Sequence, residues 1–282
     1  MKLFPLPLLL LAAGVFPPAV WADDKPANPP PIRPAPPAAA PAATPTPLPL
    51  QPPDVPTMRY NQQTREPDKG FLDSHEKYLA IARLGQAKLV FFGDSITANW
   101  SSKGKEIWDK SFSQWAPANF GLSGDRTQHV LWRIENGELD GLKPKAVVVM
   151  IGTNNVGGYS ADAIARGVAK IVEAIRQKTP DAKVLLLAIF PRGEKASTPE
   201  EPNKARDTVA QVNALIARLA DHQHVFFLDI GPRFLQPDGS ISKEIMPDFV
   251  HPSSAGHQIW ADAITPQLTE WMKGEEVSGD IF

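Results

Sequence analysis

Two uninterrupted apolar runs, "AVVVMI" at residues 146–151 and "KVLLLAIF" at 183–190, do most to limit what this chain can become. Each is too short for a helix and rich in β-favouring side chains, and neither alternates polar with apolar positions along its length. A strand of that kind must be covered on both faces, which is the condition of a parallel sheet flanked by helices. Further candidate strands lie at 88–92, 118–120 and 225–228. Between them run helical stretches: "TQHVLWRIENGEL", "SADAIARGVAKIVEAIRQKT", "ARDTVAQVNALIARLADH" and "SSAGHQIWADAITPQLTEWM". The predicted fold is α/β, a doubly wound three-layer α/β/α sandwich with about five parallel strands.

Ahead of this pattern the chain has a different character. Lys2 supplies a positive start, Leu6 to Val15 an apolar stretch, and Val20-Trp21-Ala22 a small-residue exit. Residues 1–22 are therefore expected to form a cleaved secretory signal peptide, which places the protein in a periplasm or outside the cell. The apolar stretch falls short of the roughly 20 residues a spanning helix needs, so no stable membrane span is expected. Residues 23–57 are dominated by proline and alanine. Such a segment cannot pair its backbone or bury a core, and is expected to be a disordered tether reaching up to about 100 Å. The folded domain is expected to occupy residues 58–282.

Composition removes several function classes. The chain has no cysteine, which excludes disulfides, thiolate nucleophiles and cysteine-ligated zinc. Its formal net charge of −2 comes with no basic block interleaved with aromatic residues, so no nucleic-acid partner is expected. His75, His129, His222, His224 and His257 show no metal-ligand spacing. Neither a metal nor a cofactor is implied.

The residues just beyond the strands point to chemistry. Gly93-Asp94-Ser95 comes after the first, "NFGLSGD" with Gly121 and Gly124 spans the second and its exit, and "GTNN" with Asn154 and Asn155 comes after the third. A parallel sheet delivers these three segments to one edge, where ligands bind. A serine hydroxyl there needs a base, and the base needs an orienting group. "MPDFVHPSSAGH" supplies both as Asp248 and His251, with Pro252 suited to the first turn of the last helix. Asp94 and Asp125 read as loop braces through backbone hydrogen bonds, and most of the tryptophans as helix packing.

The blocks "FFGDSI", "NFGLSGD", "GTNN" and "DFVHP" resemble those of the SGNH, or GDSL-type, hydrolases. The stretch from Asn119 to Asn155 and the later "PRGEK" are particularly similar to the catalytic subunits of brain-type platelet-activating-factor acetylhydrolase. The resemblance implies a flavodoxin-like fold with Ser95 as nucleophile, His251 as base and Asp248 as its orienting partner. It also implies an oxyanion hole made by the N–H groups of Ser95 and Gly124 and the side-chain amide of Asn154. Ser123 stands where close relatives often carry glycine, and "GDSI" lacks the leucine of the family's nickname. Neither departure touches a catalytic position.

Ile96 comes directly after the serine and Val250 precedes the histidine, so two stiff β-branched side chains are expected to flank the acyl carbonyl. The resemblance to the acetylhydrolases implies that apolar residues at these two positions help to close the acyl pocket. Core packing is the competing reading of both. The expected function is a secreted serine esterase that removes short acyl groups, acetyl above all, from a small ester or an acetylated glycan. A thioesterase or lysophospholipase uses the same constellation, and a binding module could retain the fold without turnover. Related acetylhydrolases include dimers, and a homodimer is compatible with the sequence.

Overall fold

The computed structural model describes residues 49–275. The signal-peptide reading of 1–22 and most of the tether reading of 23–57 fall outside the described residues. The five expected strands are present as β1 (Leu89–Gly93), β2 (Pro117–Gly121), β3 (Ala146–Met150), β4 (Lys183–Leu187) and β5 (Val225–Leu228), within a few residues of their expected ends. They pair in the order β2-β1-β3-β4-β5, every neighbour parallel. The winding direction reverses between β1 and β3, and in a sheet of this order the crevice at that reversal is where ligands bind. Gly93 pairs with Gly121 on one side and Met150 on the other, so β1, β2 and β3 end level.

Alternation along the buried strands sorts their side chains between two cores. Val90, Phe92, Val147, Val149, Val184 and Leu186 face one cluster; Leu89, Phe91, Val148, Met150, Leu185 and Leu187 face the other. The first is closed by α4 (Thr127–Arg133), α5 (Ala161–Lys178) and α6 (Lys204–Ile216), with Ala82 of α1 (Lys69–Leu84) at its margin. The second is closed by α3 (Lys105–Phe112) and α7 (Ser254–Trp271) and is rich in aromatic rings. Trp100, Trp115 and Trp260 are fully buried there, which bears out the packing reading for those three.

Three local features differ from the expectation. α1 and α3 lie outside the expected helical stretches; α1 buries only Phe71, His75 and Ala82, too sparse a stripe to read from periodicity. The stretch 127–139 is an α-helix only to Arg133, after which Ile134–Glu138 forms a wider turn closed by Gly137 at φ 105°. Pro252 stands before the α7 N-cap, Ser253, whose hydroxyl accepts from the Gly256 N–H at 3.2 Å.

The end of the proline-rich segment is also not free. Pro53 is buried, and its carbonyl accepts from Thr127 Oγ1 at 2.8 Å. The Gln51 carbonyl accepts from Tyr159 Oη at 2.7 Å, Asp54 pairs with Arg166 at 3.1 Å, and the Thr57 N–H donates to Gln128 at 3.0 Å. Residues 51–57 thus pack on the folded unit that was expected to begin at residue 58. Proline rigidity and an absence of regular secondary structure do not prevent docking when side chains of the domain satisfy the segment's carbonyls. Among the described residues no helix is long and apolar enough to cross a membrane.

Candidate active site

Ser95 opens α2, a single turn over Ser95–Ala98 directly beyond β1. The Asp94 carboxylate caps that turn by accepting the Ile96 N–H at 2.9 Å. Gly93 is required by close approach: a Cβ there would lie 2.1 Å from Thr97 Oγ1 and 2.5 Å from the Met150 carbonyl. The turn therefore sits tight on the strand ends and presents Ser95 at the edge of the sheet.

The loop before α7 brings its two residues to the serine. Ser95 Oγ lies 2.8 Å from His251 Nε2, and His251 Nδ1 lies 2.7 Å from Asp248 Oδ2. The other Asp248 oxygen accepts the backbone N–H groups of Val250 at 3.1 Å and His251 at 2.7 Å. That tight turn forces Phe249 to φ 59°, a left-handed conformation that costs a non-glycine residue free energy and that packing must hold. Burial acts to raise the Asp248 carboxyl, but the hydrogen bonds from the His251 N–H, the His251 ring and the Val250 N–H prevail and hold it at about 2. The carboxylate stays charged, and the 55% of its side-chain surface that is exposed favours that state. A histidine whose Nδ1–H is fixed by such an anion presents Nε2 as an acceptor to the serine hydroxyl.

Gly124 and Asn154 lie on the loops after β2 and β3, at the same edge of the sheet. Gly124 has φ 82°, where a side chain would be strained, and its N–H has no protein acceptor among the described residues. Asn154 Nδ2 donates to the Asp125 carbonyl at 2.8 Å, which uses one of its two amide hydrogens and leaves the second. Asn155, next in sequence, is fully buried and ties the same loop to α4: its Oδ1 accepts the Thr127 N–H at 3.0 Å and its Nδ2 donates to Gln128 at 3.0 Å.

Several residues that brace this edge, Arg133, Glu138 and Arg126 among them, lie outside the short sequence blocks. Asp125 is held through its side chain: Arg133 donates Nε to its carboxylate at 2.9 Å and Nη2 to the Phe120 carbonyl at 3.0 Å. Arg133 also pairs with Glu138, whose second oxygen lies 2.7 Å from His75 Nδ1. Burial pushes the Asp125 carboxyl up against the pull of the Arg133 and Arg59 guanidinium groups. Burial likewise pushes Asp94 up to about 7, against the Ile96 N–H, with Asp125 adding to the rise. Arg192, within "PRGEK", donates to the Thr153 carbonyl at 2.8 Å, and Arg126 Nε donates to the Asn154 carbonyl at 3.1 Å. Asp94 therefore braces its loop through a backbone N–H as expected, whereas Asp125 does so through an ion pair.

The flanking pair divides. Ile96 is 1% exposed and packs among Trp100, Trp260 and their neighbours, while Val250 is half-buried against the same cluster. Ile96 has the surroundings of a core residue. Among the histidines, His75 and His257 are buried and His222 and His224 exposed; among the described residues no group of three or more His, Asp or Glu could hold a metal ion.

The GDSL-like lipase/acylhydrolase family matches residues 91–259. Over 191 residues the chain is 40% identical to the human platelet-activating factor acetylhydrolase IB subunit alpha1, spanning 67% of this chain and 79% of that one. It is 39% identical over 185 residues to the alpha2 subunit of Gallus gallus, spanning 65% and 77% respectively. A solved GDSL-like lipase from Bacteroides thetaiotaomicron shares the fold, with a TM-score of 0.57 at 21% identity over 71% of this chain and 97% of that one.

Proposed function

Because the chain belongs to the GDSL-like lipase/acylhydrolase family, and so to the ester hydrolases, we propose that it is an exported serine esterase that hydrolyses short O-acyl esters, acetyl foremost, through Ser95, His251 and Asp248. The observation that carries this is the unbroken line from Ser95 Oγ through His251 to Asp248, at 2.8 and 2.7 Å.

In this reading His251 Nε2 takes the Ser95 proton as Oγ attacks the acyl carbon. The carbonyl oxygen becomes an oxyanion and accepts hydrogen bonds from the Ser95 and Gly124 N–H groups and from the free amide hydrogen of Asn154. Donors fixed in advance cost no reorganisation when that charge appears. The tetrahedral species collapses as His251 returns its proton to the departing alcohol, leaving an acyl ester on Ser95. Water then attacks the acyl-enzyme, gives its proton to the same nitrogen, and the carboxylic acid leaves with Oγ restored. Asp248 remains an anion throughout, fixes the ring tautomer and stabilises the imidazolium.

The acetyl preference is supported by the acetylhydrolase name that both curated relatives carry. Export is supported by the sequence of residues 1–22, and a carbohydrate alcohol is inferred from export rather than from any sugar-binding motif. The test is p-nitrophenyl acetate hydrolysis by the purified protein and by Ser95→Ala. Turnover in the parent and none above background in the variant is the expected result; full turnover in Ser95→Ala overturns the mechanism.

A further inference from the structure

A cavity of about 600 Å³ lies between residues 49–65 and the start of α4, and Gly124 forms part of its wall. Ser95 and His251 do not line it; Gly124 stands on the loop after β2, whose end is level with the end of β1 from which Ser95 projects. Its size is within the range of about 300 to 1,000 Å³ that holds small-molecule ligands. Its lining is one-sided in charge: Arg59, Arg65 and Arg126 contribute, and no Asp or Glu does.

The basic groups are not equivalent. Arg59 is compensated, by Asp68 at 3.0 Å and by Asp125 at 3.6 Å, and donates to the Ser123 carbonyl at 2.6 Å. Arg126 gives Nε to the Asn154 carbonyl and lies over the Tyr159 ring at 5.9 Å, with no carboxylate pairing among the described residues. Its terminal nitrogens keep their charge for another partner. His129 accepts the Arg126 N–H on Nδ1 at 3.1 Å. Burial, with the charges of Arg59, Arg126 and Arg133, lowers its pKa to about 3, so it adds a neutral ring and no competing cation. Gln62 and Tyr60 bring an amide and a phenol to the same walls.

From this arrangement we infer that the cavity receives the alcohol half of the ester and selects an anionic polyol, an acetylated uronic-acid saccharide, whose carboxylate pairs with Arg126. The inference rests on the esterase reading, since Gly124 links the two spaces: its N–H would hold the oxyanion while its loop borders the alcohol. A guanidinium fork matches a carboxylate in plane and charge, and the amide and phenol suit hydroxyl groups. A lipid tail would require a continuous apolar wall instead.

The experiment is calorimetric titration of the purified protein with digalacturonate, with its dimethyl ester as the uncharged counterpart, and with glycerol 3-phosphate. The acid should bind about tenfold or more tightly than its ester, the scale of one charge-assisted pair. Arg126→Gln should abolish the difference. In the parent, raising the salt to about 0.5 M should weaken the acid and spare the ester, which keeps the test decisive if the variant folds poorly. Equal affinity for acid and ester, a preference that survives in folded Arg126→Gln, or tighter binding of glycerol 3-phosphate overturns the inference. No turnover enters this readout. A parent that hydrolyses p-nitrophenyl acetate yet ignores the carboxylate refutes the cavity assignment alone, whereas a parent inert on esters refutes the esterase reading.

Discussion

Asn154 donates its side-chain amide to the backbone carbonyl of Asp125 at 2.8 Å, joining the loop after β3 to the loop after β2. The two residues assigned to the oxyanion from those loops, Asn154 and Gly124, are thereby held by one contact. Behind it Arg133 fixes the Asp125 carboxylate, and Glu138 and His75 continue the buried line back to α1. The positions of these two residues are thus set by an ionic network inside the fold.

Replacing Asn154 by Ala removes both the free amide hydrogen and the tie. Loss of one oxyanion donor costs about 10² to 10³ in kcat, and the missing hydrogen bond about 1 kcal/mol in stability. Kinetics on p-nitrophenyl acetate with a parallel urea melt separates the two losses. A variant with parental kcat shows that Asn154 only braces the loop.

Arg133 is fully buried and serves Asp125, Glu138 and the Phe120 carbonyl at once. Arg133→Leu takes the cation from Glu138 and leaves Asp125 only the more distant Arg59 at 3.6 Å, and breaking a buried pair in this way costs about 3 to 5 kcal/mol. Arg133→Lys should recover little, because one ammonium cannot reproduce a fork directed at three acceptors. Urea denaturation of both variants checks this; a lysine variant as stable as the parent contradicts it.

The Asp248 carboxyl is held at about 2 against an ordinary 3.8. A depressed native value means that the ionised form stabilises the fold above the ordinary pKa, and that this contribution disappears as pH falls through the native one. The stability difference between parent and Asp248→Asn should therefore be flat above pH about 5 and shrink between about 4 and 2. Melting temperatures across that range test the sign. At neutral pH the same variant should lose up to about 10⁴ in kcat.

The contacts of residues 51–57 predict a cost for trimming them. A chain beginning at Met58 loses the acceptors of Thr127 and Tyr159 and the Asp54 pair. At about 1 kcal/mol for each hydrogen bond, with buried Pro53 added, it should be less stable by about 2 to 4 kcal/mol than a chain beginning at Pro49. Equal melting of the two chains would restore the boundary at residue 58.

The sheet was legible because strands buried on both faces leave no choice of pattern: "AVVVMI" and "KVLLLAIF" could be little else. The grouping of Ser95, His251 and Asp248 was legible because a parallel sheet delivers residues just beyond its strand ends, with those of nearby loops, to one edge. Arg133 was not. An arginine in "TQHVLWRIENGEL" reads as the polar face of a helix, and only the folded chain places it among Asp125, Glu138 and Phe120. The same holds for Phe249, whose positive φ is imposed by the Asp248 turn, and for Gln51 to Thr57, where proline composition outweighs any signal of docking.

Ile96 and Val250 flank the serine and the histidine in sequence but differ in environment, and that difference separates their effects on acyl selection. Ile96 is 1% exposed among Trp100, Trp260 and the rest of the aromatic core, so Ile96→Ala opens a void and should cost about 2 to 5 kcal/mol. Val250 is half-buried and donates its N–H to the Asp248 carboxylate. A backbone contact survives truncation of the side chain, so Val250→Ala should leave the Asp248–His251 geometry in place while removing two methyl groups beside the site. An acyl chain that collides with a wall loses near-attack geometry as well as binding, so relief should appear in kcat and not in KM alone. Measured as kcat/KM on acetyl, butyryl and octanoyl p-nitrophenyl esters, the parent should favour acetyl. Val250→Ala should raise butyryl relative to acetyl by about tenfold, the scale of one or two methylenes in a pocket. Ile96→Ala should melt earlier with little change in that ratio. The opposite division, with selectivity moving in Ile96→Ala and unchanged in Val250→Ala, would place the acyl wall on the core side of Ser95.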